Sequence, residues 1–307
     1  VITPADRDRD AAILAGLRAD SAAEIDPYST LEAVPTAADL AGALGSGHPA
    51  LIARGQDDRI HGYGLVRGWV EADGTEVRLL DVWAVPDGRR TETESALFEA
   101  VASAIEQLSP AGHRIVLGAN SRDDEQDRSD LLRRLGFAPT FDMVELELTE
   151  RPLRSPLPNG IRLRTARPDD AEAVSRLLAR VWAGRPYFTP PGPDQVEDWL
   201  AEADLELYLL AENEAGLVGL ASAEFGGDRA EVDDLGVDPA VRGRGLGSAL
   251  VTDLLDRLAE RGATRVRLHT EGHDPAGALR LYLRLGFTIV GRSHRFRRAL
   301  WPGAGPG

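Results

Sequence analysis

Arg242-Gly243-Arg244-Gly245-Leu246-Gly247 stands between a strand-like run and a helix-like run. Glycines there let successive backbone N–H groups face one concavity, and the positive end of the following helix adds to the attraction, which suits a pyrophosphate. Arg242 and Arg244 bring charge to its rim. A tight strand-to-helix connection would use the same residues. A dinucleotide fold fits less well, because Gly243, Gly245 and Gly247 miss the GxGxxG spacing and no acidic residue ends a following strand. His269-Thr-Glu-Gly-His273 has the spacing of a zinc pair, but Gly272 and Pro275 put it on a strand end and loop instead of a helix, so no metal is expected. The chain has no cysteine, and all 35 of its basic residues are arginine. Disulfides, thiolate metal sites, cysteine nucleophiles, a Walker lysine and Schiff-base chemistry are thereby excluded.

The elements that must position this turn lie in a chain of 307 residues, long enough for two domains. Residues 149–160, TERPLRSPLPNG, hold three prolines and read as a linker near mid-chain. The equal division invites a search for duplication. LLRRLGF at 131–137 matches LYLRLGF at 281–287 with an offset of 150, and AVPDGRRTETESAL at 84–97 resembles VDPAVRGRGLGSAL at 237–250 with an offset of 153. Two copies of one fold follow. The second copy reads as a strand at 161–165, a helix from Pro168 and a short helix at 194–203. Strands at 205–211, 217–225 and 230–237 come next, then a helix to Arg261 stopped by Gly262. A strand at 266–269, a helix opened by Asp274-Pro275 and ended by Gly286, and one or two closing strands to Leu300 complete it. The fold class is mixed α/β (α+β). The net charge of −15 argues against nucleic acid binding, and it is uneven: 16 arginines face 28 acids over 1–159, against 19 and 22 over 160–307. No apolar run is long enough to span a membrane, VITPADRDRD has no secretory core, and a cytoplasmic protein is expected.

The second half resembles the GNAT superfamily of acetyl-CoA-dependent N-acetyltransferases. Arg242, Gly245 and Gly247 match the family's Arg/Gln-x-x-Gly-x-Gly/Ala turn after a strand ending LGVDP, and DPAGALRLYLRLGF resembles its NPxxALxLYxxxGF helix, with Asp274 where Asn is usual. The resemblance covers about 161–300 and implies two splayed central strands that admit the pantetheine arm of acetyl-CoA as cosubstrate. It also implies a turn from Arg242 through Gly243, Arg244, Gly245, Leu246 and Gly247 to Ser248 holding the pyrophosphate, with the backbone of Leu235, Gly236 and Val237 along the arm. Tyr282 matches the tyrosine that protonates the departing thiolate, and Glu231 matches the acid used as base, with Asp233 or Asp234 as substitutes. By period-two counting Asp233 shares the Glu231 face and Asp234 takes the other. Trp182, Tyr187 and Phe188 fall where the family shapes its acceptor pocket. The implied reaction is direct acetyl transfer to the amine of a small molecule by a monomer or homodimer, without metal, nucleic acid or membrane.

Laid over the second half, the first half has Glu92 and Glu94, or Thr93 and Ser95 one residue on, where Gly245 and Gly247 stand. Leu132 replaces Tyr282, and Arg78 or Leu79 replaces Glu231. Residues 1–150 therefore read as a degenerate GNAT-like domain, 151–160 as linker and 161–307 as the catalytic domain, each domain a mixed, splayed sheet flanked by helices. The tandem plan and the EVxxLGVDP strand end also resemble mycothiol synthases, whose first copy usually keeps the glycine-type turn absent here. That resemblance points to the amine of a thiol metabolite as an alternative acceptor. A non-catalytic acyl-CoA-binding module is a further alternative.

Overall fold

A computed structural model describes residues 1–21, 34–109, 113–185, 189–273 and 277–300. Two compact units emerge, one from Val1–Met143 with Gly291–Gly307 and one from Val144–Val290.

In the first unit β1 (Ile2–Pro4), α1 (Arg7–Asp20) and α2 (Ala37–Leu44) precede β2 (Leu51–Arg54), β3 (Ile60–Val70) and β4 (Glu76–Ala84), followed by α3 (Arg90–Leu108), β5 (Ile115–Arg122) and α4 (Gln126–Arg134). A capping box between Thr36 and Asp39 fixes the start of α2. The strands follow the order β1-β2-β3-β4-β5. One core, around Leu97, Phe98, Val101, Leu131 and Leu132, lies under α3 and α4. The other, around Leu14, Leu40, Tyr63 and Trp83, lies under α1 and α2. Strands β4 and β5 are parallel over 76–79 and 115–118 and then part.

Strand β6 (Ala138–Leu148) leads into the second unit, with β7 (Arg162–Thr165), α5 (Ala171–Val181), α6 (Pro193–Glu202), β8 (Tyr208–Asn213), β9 (Gly216–Gly226), β10 (Arg229–Val237), α7 (Leu246–Glu260), β11 (Arg265–Glu271), α8 (Ala278–Arg284) and β12 (Phe287–Ala299). The expected strand at 205–211 starts later, because the Asp204 carboxylate accepts from the Glu206 N–H and winds Leu205–Leu207 into a 3-10 turn. The order is β7-β8-β9-β10-β11, with β6 next. Here β10 and β11 are parallel over 229–232 and 265–268 before they part. Both ladders begin at positions separated by the same 153 and 150 residues as the sequence landmarks, so the parting of the central strands is a feature of both copies.

Two expectations about the division change. The last strand, β12, pairs over residues 293–299 with β5, so the C-terminal segment belongs to the first unit and not to 161–307. Hydrophobic alternation sets which face of a strand is buried and leaves open which sheet receives it. The proline-rich stretch 151–160 is part of the second unit, held to α7 by Arg151 on Asp256, Arg154 on Asp253, and the Ser155 N–H on Thr252 Oγ1 at 3.0 Å. Among the described residues no helix is long and apolar enough to cross a membrane.

Candidate active site

The acids of AEVDDLGV are arranged by a break in β10. Val232 opposes Ala223 on β9, yet Asp234 opposes Ser222, so Asp233 is an extra residue in a bulge. Val232, Leu235 and Val237 join the core under α7, whereas a Cβ on Gly236 would face Val181 of α5. The bulge resets the alternation and corrects the period-two expectation: Asp234, three residues on, shares the α5 face with Glu231. That face is acidic. Burial, then Glu224, Glu231 and Asp234, push the Asp233 carboxyl up to about 7. Burial likewise raises Asp234. His269, one residue beyond the β10–β11 ladder, places Nδ1 3.0 Å from Glu231 Oε1.

Two residues of this face were not among the sequence candidates. Tyr208 opens β8 opposite Ser222, which in turn opposes Asp234. Its hydroxyl is buried without a partner, and burial, followed by Asp234 and Asp233, resists its ionisation. His269 was visible in the sequence but read against a metal motif. Its usable signal is the strand after α7 running parallel to β10. Beside Glu231 in the ladder, Arg267 is 5% exposed and donates to Glu147 at 2.6 and 2.8 Å, holding β11 to β6.

The glycine turn lies at the far end of β10. Gly243 and Gly245 have φ of +74° and +89°, the left-handed region in which a side chain is strained, and a Cβ on either would meet open space. Gly247 has a different task, since a Cβ there would come within 3.1 Å of Leu281 Cδ2 on α8. The first-turn N–H groups of α7, at Leu246, Gly247 and Ser248, have no carbonyl one turn back, and with the helix dipole they offer an anion site. Arg242 does more than add rim charge: Nε donates to the Val237 carbonyl at 2.9 Å and Nη2 to the Val181 carbonyl at 3.0 Å, fixing the turn to β10 and α5. Arg244 is exposed, beside a recess of about 400 Å³ that includes Val241 and Leu246.

Tyr282 on α8 is 5% exposed, its ring edge-on to Phe287 at 5.8 Å, in the core that also holds Leu246, with Val237 packed against it. The structure thus brings Val237, Leu246, Gly247 and Tyr282 to the α7 side of β10, and Glu231, Asp234 and Gly236 to the α5 side. Trp182 caps α5 and packs against the core under α5 and α6. Tyr187, Phe188 and Asp274 lie outside the described residues.

A strand that parts from its neighbour, acids on one face and an amide-lined turn at its end, suits transfer of an acyl group from a phosphate-bearing carrier to a basic acceptor. Comparison with known proteins supports the acyl transfer. The model of the acetyltransferase (GNAT) family matches residues 172–287. A mycothiol acetyltransferase of Clavibacter michiganensis is 31% identical over 82% of this chain and 81% of its own, and one of Actinosynnema mirum is 34% identical over 80% and 82%. Among solved structures, a GCN5-related N-acetyltransferase from Sphaerobacter thermophilus superposes with a TM-score of 0.77 at 21% identity, covering 100% of this chain and 97% of that one. A tandem GNAT protein from the clavulanic acid biosynthesis pathway gives 0.71 at 17% identity, with 99% of each chain covered. These two likenesses establish the tandem fold. With the sequence relatives spanning both halves, the chain belongs to the GNAT acetyltransferase family and is an acyltransferase.

Proposed function

We propose that the second unit transfers an acetyl group from acetyl-CoA to the primary amine of a small, cationic molecule. The observation that carries this reading is the acidic face of β10, where Glu231 sits 3.0 Å from His269 beside Asp233 and Asp234. An amine is protonated near neutrality, so a negative pocket concentrates it. A base must then remove a proton before the nitrogen can attack. Glu231 is the proposed base, with His269 as a positioning residue, and Asp233, raised to about 7, is the substitute whose proton affinity best suits the task.

The residues at the turn fit acetyl-CoA. Gly243 and Gly245 leave open space beside backbone donors, and Arg242 braces the loop. In this reading the amides of Gly243 to Ser248, with Arg244, hold the pyrophosphate, while the backbone of Leu235, Gly236 and Val237 lines the arm. Asp274 is proposed to contact the same ligand, and Trp182, Tyr187 and Phe188 to wall the acceptor. When bound, acetyl-CoA supplies an activated thioester. Beyond the four-residue ladder with β11, the N–H groups of β10 that face the parting are outside the ladder and can polarise a carbonyl placed there. Tyr282 holds a transferable proton at its hydroxyl and is the proposed acid. An unperturbed phenol titrates at about 10, above a thiol, so a phenol is a competent proton donor to a departing thiolate.

The first unit lacks this set. Glu94 replaces a glycine, and β4 pairs with β3 over nine positions without a bulge. Its proposed role is structural toward the reaction. A second reading of the acceptor, the amine of a mycothiol-type thiol metabolite, is favoured by the names of the sequence relatives. The test is thiol release from acetyl-CoA over a panel of amines, amino sugars and cysteinyl amino sugars. Turnover with at least one class, reduced about 100-fold or more in Glu231→Gln and Tyr282→Phe with CoA affinity retained, supports the proposal. Full turnover in both variants refutes the assignment of the residues.

A further inference from the structure

The first unit contains a cavity of about 700 Å³ at its own strand parting, lined by β4 from Leu79 to Trp83, β5 from Asn120 to Arg122, and residues of α1 and α2. That size takes a small organic molecule. Five arginines and three carboxylates line it, a locally positive wall in the half of the chain with 28 acids to 16 arginines.

The lining arginines differ in what already neutralises them. Arg90 pairs with Glu94 and Glu125, and Arg128 with Glu94 at 2.9 Å. Arg122 grips Asp124 through two nitrogens. Arg67 reaches Asp81 only at 3.7 Å. Arg18 is different: its guanidinium lies 5.2 Å from the centre of the Trp83 ring, and its Nε is buried without a hydrogen-bond partner. Tyr63 is fully buried, and its hydroxyl also has no partner. The charges that act on that hydroxyl are Asp81, Arg18, Arg67 and Arg128, all four from the cavity wall. Buried polar atoms left unpaired cost stability; one of these belongs to Arg18 in the cavity wall and the other to Tyr63, whose ring packs on Trp83 of the same wall at 5.7 Å, and a ligand that pairs them would relieve that cost.

Coenzyme A does not fit that role. The glycines that would cradle its pyrophosphate are absent, and Glu94, 2% exposed, sits in the first turns of α3 as a partner of Arg90 and Arg128. We propose that the first unit binds a small organic anion other than coenzyme A, its carboxylate or phosphate held by the Arg18 guanidinium with the Tyr63 hydroxyl as second donor. This site is independent of the reaction assigned to the second unit.

The test is calorimetric titration of the full chain with citrate, benzoate, inorganic phosphate and glucose 6-phosphate at millimolar concentration, the carboxylate and phosphate arms identifying the preferred headgroup. At least one probe is expected to bind saturably in the presence of saturating coenzyme A. Arg18→Gln weakens that binding about ten-fold or more and Tyr63→Phe several-fold, since each removes a charged or buried hydrogen bond. Arg244→Gln, at the turn of the second unit, leaves it unchanged. Arg18→Lys keeps the charge without the fork and serves if the glutamine variant fails to fold. No binding by any probe, displacement by coenzyme A, or sensitivity to Arg244 instead of Arg18 overturns the proposal.

Discussion

Asp233→Asn should make the second unit more stable, and only at the upper end of the pH range. The Asp233 carboxyl rises from 3.8 to about 7 because burial and then Glu224, Glu231 and Asp234 oppose its charge. A carboxyl held above its unfolded value favours the fold while protonated. Its contribution is complete below about pH 4 and is lost as pH climbs through 7. At full weight the shift corresponds to about 4 kcal/mol. The Asp233 side chain keeps access to solvent at the edge of this crowded face, however, so water screens much of the cost, which leaves on the order of 1–2 kcal/mol. Asparagine mimics the neutral acid, so the variant should match the wild type near pH 4 and melt roughly 3–6 °C higher near pH 8, in a unit of this size. Scanning calorimetry at four or five pH values reads the difference directly. A difference that stays flat across the range, or that is largest in acid, refutes the electrostatic reasoning about the bulge. The same titration should appear in turnover if Asp233 substitutes for Glu231 as base, as an activity rising with pH about a midpoint near 7.

Four further outcomes follow from single contacts. Gly245→Ala forces an alanine to φ +89°, a strain of about 1–2 kcal/mol, into open space. The fold should persist while coenzyme A affinity, measured by titration, falls several-fold, and unchanged affinity would place the pyrophosphate elsewhere. Arg267→Met removes a guanidinium that is 5% exposed from Glu145 and Glu147, and denaturant unfolding should show a loss of about 3–5 kcal/mol. Arg162→Met, with a side chain 82% exposed on Glu212, should change stability by less than about 0.5 kcal/mol in the same assay. Gly286→Ala puts a Cβ against the Glu150 carbonyl at a residue with φ +86°, and soluble folded protein should be lost or its Tm should drop sharply.

What could be read from the sequence was whatever local chain geometry dictates. The repeated LGF landmark is legible because it is a helix stop: Gly136 at φ +83° donates to the Arg133 carbonyl and Phe137 to the Leu132 carbonyl, and Gly286 ends α8 in the same left-handed conformation. Leu97, Val101 and Ile105 recur at helical spacing, a pattern just as local, and all three are buried in α3. Features set by pairing between distant strands were not. AEVDDLGV alternates as any strand does, and only the register against β9 reveals the extra residue that turns Asp234 toward Glu231. Strand β12 carries nothing in its pattern that assigns it to β5. Tyr208 and His269 acquire meaning from residues at least 25 positions away, Asp233 for one and Glu231 for the other.

The comparison of the two copies separates what the fold supplies from what the chemistry adds. Both units part their central strands after a four-residue parallel ladder, so the cleft itself is architecture common to both. What the first unit lacks is local: one bulge residue, the glycines of one turn, one tyrosine and one acid. Arginines line its cleft, and Glu94, which would repel a phosphate at the helix start, is the counter-ion of Arg90 and Arg128. A cleft closed by ion pairs in this way would have no reason to leave Arg18 Nε and Tyr63 Oη buried and unpaired. That they remain so is the physical argument for the anion site proposed in the first unit.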